Sequence, residues 1–401
     1  MGTLVTTVFS VALALGVVAG LFIVSNLAVN RGSQRIDDRV RPWLFVGPAL
    51  LFMAFALVVP AIRTVVLSFS GGKRGEDGLT LSNWSGLLRD EGVISFDGAA
   101  DILTSRLFVV GIVLAVIGLV AARRSAGEEV AGQGRKGLDL GSPVASMALA
   151  AAVLAVLFAV FSTLRGVIWN NLWWVVVVAG FATVIGLAIA VLADRSKSET
   201  LAKTLIFMPF ALSLVGAAII WKYVYDTPGS GQAEGLLNVL WPGKPVDFIR
   251  GTKSGGGPSG GGTIAPWNNF FLMVIMIWIQ AGFAMVVLSA AIKGVPGELS
   301  EAARVDGASE PQVFWRVVLP QIAGTIVVVV TTLTITVLKI FDLVKATTGG
   351  AADTDVLANR VYDGLRSGNF TTSATFAVMI LLLVLPIMYV NIRRNRQEMY
   401  G

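Results

Sequence analysis

The chain has 401 residues, 55% of them hydrophobic and 14% charged, with a mean hydropathy of +0.76 and a net charge of +6. Soluble domains carry about 25% charge, so a soluble globular protein is excluded. The chain contains no Cys and no His, which also excludes disulfides, zinc held by thiolate or imidazole, and Ser-His or Cys-His dyads.

Long unbroken apolar runs, rather than short alternating strands, predict an all-α polytopic membrane protein, because a helix satisfies its own backbone inside hydrocarbon. About nine transmembrane helices are predicted, at 3–24, 43–67, 107–121, 143–162, 172–192, 204–225, 269–292, 322–342 and 373–392. A crossing takes roughly 20 residues, so 107–121 is short. No basic residue precedes 3–24, as a secretory signal would require; a retained helix with its N-terminus outside is expected. Arg31, Arg35, Arg39 and Arg41 then hold the next segment in the cytoplasm.

Residues 68–106 form an external loop, and 107–121 with 143–162 a hairpin whose cytoplasmic tip carries Arg123, Arg124, Arg135 and Lys136. Residues 1–165 are thus an N-terminal addition of extra helices, and 166–401 one transport unit. Trp169, Trp173 and Trp174 are expected in an interfacial aromatic belt. The external loop 226–268 contains Ser254-Gly-Gly-Gly-Pro-Ser-Gly-Gly-Gly262, a flexible linker by composition. It lacks the Lys and the Ser or Thr that a phosphate loop places at fixed positions, and Gly243-Lys244 runs into Pro245. No nucleotide site is legible.

The stretch 301–320 is polar between two apolar runs. It reads Glu-Ala-Ala, three residues, Gly, nine residues, an aliphatic residue, one more, then Leu-Pro. Glu301 is expected to begin a helical turn, where the helix dipole favours a carboxylate. Ala302 and Ala303 admit a close partner surface, Gly307 a sharp turn, and Pro320 the start of the next membrane helix. Alternation puts this loop and the C-terminus in the cytoplasm. Lys and Arg are then denser inside than outside, so they are topology signals and carry no case for nucleic acid.

The 301–320 pattern resembles the EAA loop of the membrane subunits of ATP-binding-cassette importers. Beyond it, Asn171-Leu-Trp-Trp, Leu192-Ala-Asp-Arg, Phe207-Met-Pro-Phe and Leu357-Ala-Asn-Arg-Val-Tyr make residues 166–392 similar to carbohydrate permeases of the maltose and α-glucoside type. The resemblance implies a type I importer (MetI-like) core in the cell membrane. Its implied partners are a second homologous permease, two ATPase subunits holding ATP and Mg, and an extracytoplasmic solute-binding protein, all within membrane lipid; no cofactor is implied in this chain. Glu301, Ala302, Ala303, Asp306, Gly307, Leu319 and Pro320 would then contact the ATPase, with Glu301 ion-paired to it.

The implied cargo is an oligosaccharide, an α-glucoside such as maltose or trehalose. Alignment to the maltose type puts pocket positions at Phe210, Leu214, Met276, Ile279, Gln280, Phe283, Leu333, Thr336, Val337 and Ile340. Sugars want hydroxyl partners and aromatic faces, which singles out Gln280 and Thr336 with Phe210, Phe283 and Trp278; Leu214, Met276, Leu333, Val337 and Ile340 depart from the amide or hydroxyl residues the resemblance implies there. Lys339 and Asp342, spaced i, i+3, are expected to pair on one helix face near the path. Lys222 and Arg63 snorkel from outer helix ends. Three alternatives remain: an importer of another solute class, a secondary carrier, and a membrane glycosyltransferase using Asp353, Asp355 and Asp363. Those three carboxylates have no spacing signature and read better as solvated loop charges.

Overall fold

A computed structural model describes residues 49–96, 99–128, 143–164, 166–194, 198–226, 235–242, 246–249, 262–263, 268–351 and 353–400, with isolated positions before 49. The predicted first span, its basic tail, Arg135, Lys136 and the glycine-rich residues 254–261 lie outside the described residues.

Four long helices precede the first bend among the described residues: α1 (Ala49–Ser68), α2 (Arg106–Glu128), α3 (Pro143–Thr163) and α4 (Val167–Asp194), with two short ones, Ser82–Arg89 and Ala99–Thr104, between α1 and α2. Then come α5 (Glu199–Ala211), α6 (Leu214–Tyr225), α7 (Asn268–Lys293), α8 (Gly297–Val305) and α9 (Glu310–Gln321). The chain continues through α10 (Ala323–Leu338), α11 (Asp342–Thr347), α12 (Leu357–Arg366) and α13 (Phe370–Tyr400). Five of the described helices are long and apolar enough to cross a membrane, or up to seven when each bent pair is one span. The nine predicted spans are therefore not all matched. α3 falls below the length test, with an apolar run of Val144–Val160. A two-residue parallel pair, Val246–Asp247 with Gly262–Thr263, interrupts the all-α fold.

Three predicted boundaries change. The short span 107–121 is a 23-residue helix. The single helix expected over 204–225 is two, α5 and α6, meeting at 101°. Pro209 sits in a tight 3₁₀ turn at the end of α5, Leu212 turns extended, and the Ser213 hydroxyl caps α6 by accepting from Gly216 N–H at 3.0 Å. Proline cannot donate and a serine N-cap starts a new helix, so the direction resets there. The span expected over 322–342 stops at Leu338. It joins α9 at a 67° bend at Ile322, two residues after Pro320.

That early stop overturns the Lys339–Asp342 pairing. Lys339 caps α10, Phe341 leaves helical geometry at φ −139°, and Asp342 opens α11. The i, i+3 geometry needs a continuous helix, and the two side chains form no ion pair. The aromatic belt is also corrected. Trp173 and Trp174 are buried, and Trp174 Nε1 donates to Asn269 Oδ1 at 2.9 Å. Trp169 is half-buried and donates to the Ser95 carbonyl at 3.1 Å. A buried indole needs an acceptor, and each of these two found one in the fold.

α7 runs through the middle. Leu272, Met273, Ile275, Met276, Met285 and Leu288 along it are all but inaccessible. It meets α4 backbone to backbone at Gly186, where a Cβ would lie 2.6 Å from the Ala284 Cβ. Small residues permit that approach between membrane helices. The α2–α3 hairpin uses the same device: Gly111 and Gly118 face Val156 and Leu149 too closely for any side chain. α3 then reaches the core through an edge-on contact between Phe158 and Phe270.

Candidate functional site

The end of the bundle that carries 301–320 is built from α8, a turn and α9. Gly307 takes φ +86°, a region few L residues adopt. Its N–H reaches Arg304 O at 3.0 Å and the next N–H, of Ala308, reaches Ala303 O at 3.0 Å. This is a Schellman ending. Ser309 starts α9, its N–H bound by Gln312 Oε1 at 2.8 Å. The Arg304 guanidinium bridges the turn to Glu310 at 2.7 Å and 3.4 Å.

Glu301 lies in the second turn of α8; the first-turn carboxylate is Glu298. The expected dipole role of Glu301 therefore passes to Glu298. The Glu301 side chain is exposed and makes no hydrogen bond or ion pair among the described residues. Ala302, Asp306, Gly307 and Pro320 are exposed, while Ala303 and Leu319 are half-buried. Apolar side chains share this face, with Val305 87% and Trp315 65% exposed.

Below α8 lies a crevice of about 130 Å³, walled by Val191, Asp194, Ser300, Arg304, Glu310 and Phe314 among others. Its floor is ionic. Lys203 of α5 binds Asp194 at the end of α4, Glu199 one turn earlier at 2.6 Å, and the Ser289 hydroxyl of α7. Ser289 donates in turn to Asp194 Oδ1 at 2.8 Å, and Lys293 holds Glu199. Three helix ends are stapled together by charge-assisted hydrogen bonds. Sequence reasoning noted Leu192-Ala-Asp-Arg as a likeness and missed this network, although the i, i+4 spacing of Glu199 and Lys203 was a readable signal.

The predicted solute residues divide. Phe207, Phe210 and Phe283 stack in a row, with centroids 5.2 Å and 5.7 Å apart. Phe210 is 41% exposed, and Trp278, edge-on to Trp221, is also accessible. Thr336 is exposed, with its hydroxyl donating to Thr332 O at 2.9 Å. Gln280 is only 5% exposed, and its Oε1 has no partner. Met276, Ile279, Leu333, Val337 and Ile340 are buried as well, while Leu214 is half-buried. The fold brings Phe210 and Phe283 together and leaves Gln280 inside the helix packing.

At the opposite end of the bundle, the carboxylates considered for catalysis are structural. Asp355 pairs with Arg360 at 2.5 Å, and Asp363 with Lys345 at 2.8 Å. Burial pushes the Asp355 carboxyl up, against the hydrogen bond from Asn359 and the Arg360 charge. Asp355 is largely buried and held in its pair rather than solvated, and Asp363 is paired while staying about half exposed.

Residues 182–396 match the profile of the binding-protein-dependent transport system inner membrane component. The chain belongs to that family. Over 377 residues the permease is 39% identical to the alpha-glucoside transport system permease protein AglF of Rhizobium meliloti (strain 1021), covering 93% of this chain and 88% of the relative. It is 45% identical over 231 residues to the osmoprotective compounds uptake permease protein GgtC of Synechocystis sp. (strain ATCC 27184 / PCC 6803 / Kazusa), covering 57% and 79%. The fold also matches a chain of a bacterial alginate importer solved in complex with an alginate pentasaccharide-bound periplasmic protein. That match has a TM-score of 0.58 at 17% identity and covers 91% of this chain and 98% of the other. The protein is a membrane-spanning permease subunit of that family.

Proposed function

We propose that this permease forms half of the translocation path of an ATP-driven importer for an oligosaccharide, an α-glucoside such as maltose or trehalose. A second homologous permease completes the path. A solute-binding protein delivers cargo at the α11–α12 end, and two ATPase subunits, carrying ATP and Mg²⁺, dock at the α8 end. Residues 166–401 supply the transport unit and 1–165 the added helices. The observation that carries the reading is α8 itself: a capped helix presenting Val305 and an unpaired Glu301 to the outside of the chain. Exposed apolar side chains beside an unpaired charge suit a protein partner. Closure of the ATPases on ATP would favour one of two arrangements of the path.

The cargo assignment rests on the likeness to AglF over most of the chain. The higher identity to GgtC over a shorter stretch favours osmoprotective compounds as a second reading. Uptake of labelled maltose, trehalose and glycine betaine by proteoliposomes holding the complete complex separates them. Uptake of betaine alone would overturn the carbohydrate assignment.

Phe210 is the accessible ring of the stack, so Phe210→Ala should lower sugar uptake by about tenfold, the scale of a lost aromatic contact. Assembly with the partner subunits should be unchanged in a pull-down. Unaltered uptake would move the path away from this stack.

The sidedness has a direct test, because the chain is free of Cys. A single Val305→Cys should react with a membrane-impermeant maleimide in inside-out vesicles and be silent in intact cells. The reverse pattern would place α8 outside and remove the ATPase reading.

A further inference from the structure

Asp194 presents two unlike oxygens. Oδ1 is occupied by Lys203 and Ser289, whereas Oδ2 is buried and has no hydrogen-bond partner. A buried carboxylate oxygen left bare is costly, because a charge taken out of water needs compensation. Asp194 walls the crevice under α8, and so does Arg304, whose guanidinium is engaged at the crevice rim by Glu310. The Arg304–Glu310 pair is about half exposed on both sides. Water screens an exposed pair, so it can be exchanged at modest cost. One strong donor is therefore held in a solvent-exposed pair in the same crevice as an acceptor that lacks one.

We propose that Asp194 is the alternative partner of Arg304, and that the guanidinium passes from Glu310 to Asp194 Oδ2 when α8 is driven toward the bundle. The exchange rests on the ATPase docking at α8 proposed above. It gives the coupling element two discrete seats rather than a continuum of positions, as a two-state device requires. In the seat described, α8 stands off the bundle with the crevice open. In the other, the crevice closes and Arg304 joins the Lys203 staple. Lys203 lies on α5, and α5 leads to Phe207 and Phe210. Gly282 locks α5 against α7, since a Cβ there would sit 2.7 Å from Ile206 O. Movement of α8 would thereby be registered at the aromatic stack. Asp194 and Arg304 are positioning residues in this scheme, acting through α5 rather than on the solute.

The test uses the complete complex in proteoliposomes and a Ser300→Cys, Val191→Cys pair across the crevice, which leaves Asp194 and Arg304 intact. Disulfide formation should be faster by about tenfold, the usual scale of a coupling between states, in the vanadate-trapped complex than without nucleotide. Adding Asp194→Asn should erase that difference, and Glu310→Gln should raise the nucleotide-free rate toward the trapped one. As a functional readout, Asp194→Asn should reduce the stimulation of ATPase activity by loaded binding protein, with subunit assembly unchanged. Equal cross-linking in both states, or a difference that survives Asp194→Asn, would overturn the exchange. Loss of both ATPase retention and the state difference when Glu301 is altered would fit the exchange being driven from the docking surface. Retention of the ATPase without α8 contact would strike the docking reading instead.

Discussion

Glu301→Lys should abolish ATP-driven uptake while the permease still inserts in the membrane and still associates with its partner permease. The side chain is exposed and makes no hydrogen bond or ion pair among the described residues, and within the chain it only adds to the negative field around Arg304, so its replacement disturbs little of the internal packing. Its cost falls on the partner surface. Truncating one member of an interfacial charge pair costs about 2–5 kcal/mol, and reversing the sign adds repulsion. A loss of at least tenfold in ATPase affinity is expected, since about 1.4 kcal/mol is a factor of ten. Co-purification of the ATPase with tagged permease reads it directly. Gly307→Val is the companion change. It puts a β-branched residue at φ +86°, which costs on the order of 1–3 kcal/mol. That strain should loosen the turn that aims α8 and reduce co-purification without changing charge. Full uptake by both variants would remove α8 as the point of coupling.

Most of this end of the molecule was legible before any coordinates. The 301–320 spacing marked the segment proposed above to couple, and Gly307 was expected to turn the chain, which it does at positive φ. What could not be read was which residues α8 would face. Asp194 and Ser289 are 95 residues apart and bond where α4 and α7, in close contact at Gly186, pack together, while Arg304 shares their crevice. A sequence shows the small residue and not the contact. Helix breaks were missed for a related reason. Pro209 and Ser213 are local signals for a new helix, but the apolar run across 204–225 hid them, because hydropathy reports burial in lipid and not direction. Gln280 shows the limit of family alignment. It was placed in the solute pocket by register, yet the register also sets it one turn from Met276 and Ala284, both buried, and the packing side prevails in this conformation.

The tryptophan-rich start of α4 was read as a lipid-interface feature, and its chemistry argues for a structural clamp. Asn171 is fully buried between two breaks in the chain. Its Nδ2 donates to Leu338 O at 3.2 Å, at the end of α10, and its Oδ1 accepts from Leu357 N–H at 2.7 Å, at the start of α12. Both partners are terminal backbone groups with no helical bond of their own to make. Asn171→Ala strands the two together, and each unpaired buried group costs about 1–3 kcal/mol. A destabilisation of roughly 2–5 kcal/mol follows, large beside the usual effect of a substitution. The melting temperature of the solubilised permease, followed by size exclusion after heating, should fall by roughly 10 °C. Asn171→Asp should not rescue it, because a carboxylate can accept from Leu357 but cannot donate to Leu338 and brings an unpaired charge into the core. Trp174→Phe, which removes the bond to Asn269 and leaves a small cavity in the core, should lie between Asn171→Ala and the parent. If Asn171→Ala melts with the parent, the clamp is not holding α10 to α12, and the Asn171-Leu-Trp-Trp stretch has its role on another surface.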